Sequence, residues 1–168
     1  LNPLIHRADG LNHYAARRYE ASIAPLRKAL EMNPRMSRAH AEIGDALLNL
    51  GRIDEARAEY ALEPAADFRL TGLALSAQRA GDLSAARATL AELVATAGDR
   101  VLYQQGQVLA QLGEIMPALE CLERARAAGD AGLIYARNDP FLDPLRGESR
   151  MDQLLDGIGF DRPARPGV

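Results

Sequence analysis

The chain of 168 residues is poor in aromatics, at 5%, and has no tryptophan. Its hydrophobic fraction is nonetheless 48%, so the core must be built mainly from Ala and Leu, which calls for close-packed helices rather than a few large anchors. Cys121 is the only cysteine, which excludes an intrachain disulfide and removes the mark of a disulfide-stapled secreted domain. Charge of one sign is missing too. The 20 basic and 23 acidic residues leave a formal charge of -3, without the basic arm or stripe that nucleic-acid binding calls for. No apolar run approaches the ~18 residues of a membrane helix, so membrane insertion is not expected. The first residues, LNPLIHRADG, have neither a Met nor the layout of a signal peptide. The expectation is a piece of a longer protein, cytoplasmic, with the periplasm as the alternative.

What is present is a repeated pattern. In the stretch 39–60, AHAEIGDALLNLGRIDEARAEY, the residues Ala39, Ile43, Ala46, Leu47 and Leu50 fall at helical spacing. Gly51 follows as a left-handed C-terminal cap, and Asp54 opens a second helix whose apolar stripe runs through Ile53, Ala56 and Tyr60. Two amphipathic helices joined by so short a turn must pack antiparallel. Gly44 and Ala56 are small where the two axes approach. The same pairing recurs as Gly10 with Ser22, Ala74 with Ala86 and Gly106 with Ala118, at steps of 34, 30 and 32 residues.

These steps lie close to the ~34 residues of a tetratricopeptide unit. With Gly51, Gly81 and Gly113 at the turns, and Tyr19, Ile53, Leu83 and Ile115 opening the second helices, the chain resembles the tetratricopeptide repeat family over about residues 3–130. Ala29, Ala125 and Pro34 fit the same pattern. The resemblance implies an all-α fold: a right-handed superhelix of antiparallel helical hairpins, closed by a C-terminal capping segment.

Taken in order, the hairpins are expected at about 3–36, 37–63, 67–97 and 99–128 and the cap at about 131–160, together one domain of residues 1–160. Arg17 stands where the other turns have glycine, so that bend costs backbone strain or needs a different cap. Pro25 lies inside the second helix and predicts a kink there. Glu63-Pro64 predicts a short fourth helix, and Leu70, Leu73, Leu83, Leu90 and Leu93 are read as facing inward in the third hairpin. A fifth first-helix, AGLIYAR, begins at Ala131 and fails at Asn138-Asp139-Pro140. Phe141, Leu142 and Leu145, then a short helix with Met151, Leu154, Leu155 and Ile158, are expected to cover the last hairpin. This ending is similar to the tail of tetratricopeptide segments in multidomain bacterial signalling proteins. Residues 161–168 have little to bury and are expected to be disordered.

No catalytic, cofactor or metal site is expected. His6, His13 and His40 fall at packing positions of the repeats without Cys or paired carboxylates at ligand spacing, and Cys121 has no base in its own helix. Glu42, Asp45, Glu55 and Glu59 read as solvated faces. The chain is therefore expected to be a non-enzymatic scaffold that binds a peptide or protein segment in a concave groove lined by the first helices. Helical geometry puts on that face Arg7, Leu11 and Tyr14; Arg38, Asp45 and Leu48; Phe68, Leu75 and Gln78; and Arg100, Tyr103 and Gln107. The three arginines suit an acidic partner, and Phe68 and Tyr103 offer aromatic contact. The family's carboxylate clamp of lysine and asparagine is not matched, since Arg7, Leu11 and Glu42 stand in the corresponding helices. The alternatives are a regulatory or self-associating C-terminal module of a larger bacterial signalling or transcription-regulator protein, acting on an upstream domain or a second copy, and a small-molecule sensor.

Overall fold

A computed structural model describes residues 2–158, and within them every regular element is helical. The expected tail 161–168, and the end of the cap at Gly159 and Phe160, lie outside the described residues. The chain divides into two compact units, one up to Ala97 and one from Gly98 onward.

The first unit holds α1 (Pro3–Ala15), α2 (Tyr19–Met32), α3 (Ala39–Asn49), α4 (Ile53–Leu62), α5 (Ala66–Arg79) and α6 (Leu83–Ala97), paired as three hairpins. The turns share one design. At Gly51, with φ +78°, the amide donates to Leu48 O and the next amide, of Arg52, to Leu47 O, which satisfies the last carbonyls of α3. Gly81, with φ +84°, repeats this bond pair between α5 and α6. Arg17 does the same with φ +58°: its amide bonds Tyr14 O and that of Arg18 bonds His13 O. Of the two ways the sequence left open for this bend, backbone strain is the one used.

The small residues do the work the spacing assigned them, though their nearest partners lie one helical turn further along than expected. A β-carbon on Gly10 would stand 2.6 Å from Leu26 and 3.0 Å from Ser22 O, and one on Gly44 would stand 2.6 Å from the Tyr60 ring. Both partners are sixteen residues on, in the second helix of the same hairpin. Ala56, Ala74 and Ala86 are fully buried. α2 is a single helix through Pro25, and α4, at 10 residues, is short as Pro64 requires.

Several sequence expectations are corrected here. Leu83, read as inward-facing, is 51% exposed. Glu42, Asp45 and Glu59 are not solvated faces. Glu42 is buried against Arg7, Asp45 accepts from the Tyr60 hydroxyl at 2.8 Å, and Glu59 lies 2.8 Å from His40 Nδ1. A helix surface that looks polar in sequence becomes an inner seam once neighbouring hairpins stack on it.

The second unit holds α7 (Leu102–Gln111) and α8 (Ile115–Ala127), preceded by a 3-10 turn at Gly98–Val101. Two further 3-10 segments, Ala131–Tyr135 and Pro140–Leu145, lead to α9 (Ser149–Gly157). The expected fifth first-helix is thus only a 3-10 turn, where Gly132 lets the chain pass close to the Tyr103 ring: a β-carbon there would stand 2.7 Å from it. Leu142, Leu145, Met151, Leu154 and Leu155 join Leu102, Leu119 and Leu122 in one buried cluster. The apolar face of α7 and α8 is covered by the segment that follows them.

Candidate functional site

α1 and α3 run parallel and in step. Arg7 bonds Glu42 and Tyr14 bonds Asn49, both across 35 residues, so seven positions along one helix match seven along the other. Arg7 Nε donates to Glu42 Oε2 at 2.8 Å and its Nη2 donates to Oε1, a forked pair. Arg38 Nε lies 3.8 Å from the same carboxylate, and the Arg38 guanidinium sits 4.6 Å over the Phe68 ring of α5. One carboxylate and one aromatic ring thus gather two cations from two helices.

Arg38 reaches this position through an unusual backbone. It precedes α3 with φ +75°, a left-handed conformation that costs a non-glycine residue about 1–2 kcal/mol. Glu63 offsets the cost. Its carboxylate, 1% exposed, accepts from the amides of Arg38 at 2.9 Å, Ala41 at 3.2 Å and Ala65 at 3.0 Å, while its own carbonyl accepts from Arg69. Pro64 ends α4 so that the Glu63 side chain turns onto the start of α3, where unpaired amides and the helix dipole favour an anion. Burial raises the pKa of Glu42 above 4.5, against the lowering effect of Arg7 and Arg38.

The other groove candidates of the first unit divide. Arg7, Leu11, Tyr14, Arg38, Asp45, Phe68 and Gln78 are partly exposed. Leu48 and Leu75 are buried at 1% exposure and belong to the core. Asn49 Nδ2 donates to the Tyr14 hydroxyl at 3.2 Å, and Gln78 Oε1 is enclosed without a hydrogen-bond donor.

In the second unit Arg100 is exposed on the 3-10 turn before α7, while Tyr103 and Gln107 are taken by the chain itself. The Tyr103 hydroxyl donates to Asp139 Oδ2 at 2.5 Å and Gln107 Nε2 to the same oxygen at 2.7 Å, while Asp139 Oδ1 accepts from the Phe141 amide. Gln111 Nε2 donates to Phe141 O at 2.8 Å. Residues 103, 107 and 111 thus form one stripe at helical spacing that grips the turn around Asp139. Burial raises the Asp139 pKa above 3.8, and burial beside this carboxylate pushes the Tyr103 hydroxyl well above its usual value.

Sequence reasoning missed Glu42, Glu63 and Asp139 as organising groups. The Tyr-x3-Gln-x3-Gln stripe facing an Asp-Pro turn was the signal available for Asp139; Glu42 and Glu63 carried none. Cys121 is buried, burial pushes its thiol pKa up, and its nearest partner is Gln105 Oε1 at 3.9 Å. Among the described residues no group of three or more His, Cys, Asp or Glu side chains is placed to hold a metal ion, and no helix is long and apolar enough to cross a membrane.

Comparison with known proteins supports the repeat reading. Residues 8–68 match the family model described as tetratricopeptide repeat, which runs from within α1 through the second hairpin to the start of α5. No curated protein matches the chain.

Proposed function

We propose that this tetratricopeptide array of helical hairpins is a non-enzymatic protein-interaction scaffold, taking an acidic partner segment on the face shared by α1, α3 and α5. The observation that carries the reading is the gathering of Arg7 and Arg38 on Glu42 beside Phe68. Two part-exposed guanidiniums around one carboxylate, that of Arg38 also stacked on the Phe68 ring, are pre-shaped for carboxylates, and arginine and aromatic residues are those that dominate binding energy at interfaces. The left-handed backbone at Arg38 supports it, because strain in a fold tends to be kept where a side chain must be aimed. Within this reading Leu11, Tyr14, Asp45 and Gln78 flank the contact. The buried Leu48 and Leu75 support it from within the first unit.

The test is binding of a rhodamine-labelled hexaglutamate peptide, followed by fluorescence anisotropy. Arg38→Glu and Phe68→Ala should each weaken binding about tenfold or more, while Glu92→Arg, on an exposed face of α6, should not. Equal binding by the parent chain and Arg38→Glu overturns the reading.

A further inference from the structure

The carboxylate that gathers the two arginines on the face of α1, α3 and α5 is also a rival to any acidic partner. The Glu42 side chain is only 8% exposed, yet Arg7 donates to both its oxygens and Arg38 Nε stands 3.8 Å from Oε1. The Arg38 side chain remains 35% exposed above Phe68. A partner carboxylate arriving on Arg38 therefore meets the field of a second carboxylate held well inside one Debye length, roughly 8–10 Å.

We propose that Glu42 is a resident counter-ion that sets the affinity of this face for an acidic segment: ionised, it competes with the partner's carboxylate for Arg38 and Arg7, and neutral, it yields them. The proposal rests on the interaction reading above and adds the control of that site. The charged groups facing Glu42 are Arg7 from α1, Arg38 at the head of its own helix and Glu63 from the segment after α4. The arginines favour the ionised form and Glu63 opposes it. Glu63 is itself committed to three backbone amides, so Glu42 is the carboxylate that can change hands. Burial already tilts Glu42 toward its neutral form, and acidification completes the change in a window that opens upward from the ordinary 4.5.

The probe is a rhodamine-labelled hexapeptide of cysteic acid, whose sulfonates stay ionised throughout the pH range used. At about pH 7.5, Glu42→Gln should bind it about three- to tenfold more tightly than the parent, and that gap should narrow progressively as the pH is lowered toward about 4. A variant that binds no more tightly, or a gap that does not move with pH, overturns the proposal. If Glu42→Gln does not fold, the parent alone decides: its affinity must rise on acidification, and a flat or falling profile refutes the counter-ion role. Arg38→Glu separates the two readings. If it abolishes binding while Glu42→Gln gains nothing, only the counter-ion idea fails; if the probe binds Arg38→Glu as well as the parent, or never binds, both fail.

Discussion

The Tyr60 ring lies so close to Gly72 that a β-carbon on that glycine would fall 2.0 Å from Tyr60 Cδ1. Gly44 meets the same ring from α3, where a β-carbon would stand 2.6 Å from Cε1. Tyr60, fully buried on α4, is thus wedged between the first helices of its own hairpin and of the next, with its hydroxyl tied to Asp45. The fit works because two glycines leave room for one ring.

Gly72→Ala should therefore destabilise the first unit more than Gly44→Ala, each by about 1–3 kcal/mol, since a stiff ring bonded at its far end has nowhere to retreat. Urea denaturation of both variants checks the order. The double variant with Tyr60→Ala should recover part of the Gly72→Ala loss, and strict additivity would show that the glycine answers to something other than the ring.

Arg17→Gly should stabilise the chain by about 0.5–1 kcal/mol. The φ of +58° costs arginine strain that glycine does not feel, partly offset by the greater freedom of glycine in the unfolded chain. Thermal melts read this directly, and a lower midpoint would mean that contacts of the Arg17 side chain outweigh its backbone.

Glu63→Ala should cost about 2–4 kcal/mol, because three amides lose a buried charged acceptor at once and Arg38 loses the bond that holds its left-handed backbone. Glu63→Gln keeps one acceptor oxygen and should fall between the two. Denaturant melts of the series settle the ranking, and a neutral Glu63→Ala would remove Glu63 from the account of how Arg38 is aimed.

Asp139→Asn should change the pH dependence of stability. Because the folded-state pKa of Asp139 lies above 3.8, the folded chain holds that proton more tightly than the unfolded chain. Its contribution is then fullest below 3.8 and is lost as the pH rises through the raised folded value. Asparagine has no such proton. The stability difference between the two proteins should thus move in favour of Asp139→Asn between about pH 4 and about pH 7. A difference that is constant with pH would mean that the hydrogen bonds from Tyr103, Gln107 and Phe141 fully offset the burial of the Asp139 carboxylate.

What the sequence determined by itself was the local frame. Helix ends at Gly51, Gly81 and Gly113, the strained substitute at Arg17, the short α4 before Pro64 and the small residues at Gly10, Gly44 and Gly106 all follow from backbone preferences and helical spacing. Such signals act within a few residues, so they survive in a linear reading. The meaning of the acidic residues was settled only by tertiary structure. Glu42, Glu63 and Asp139 are ordinary surface letters in sequence, and Glu59 was indistinguishable from its exposed neighbour Glu55. Each acquired its role from partners 19 to 36 residues away, such as Glu59 from His40 and Asp139 from Tyr103. The same holds for the expected groove stripe: Tyr103 and Phe68 each fall at a stripe position of their own helix, yet the chain folds its own Asp139 turn onto Tyr103 and leaves Phe68 beneath Arg38. Helical periodicity tells which side chains share a face; what covers that face depends on where distant segments pack, and burial then decides whether a charge is solvated or becomes part of the framework.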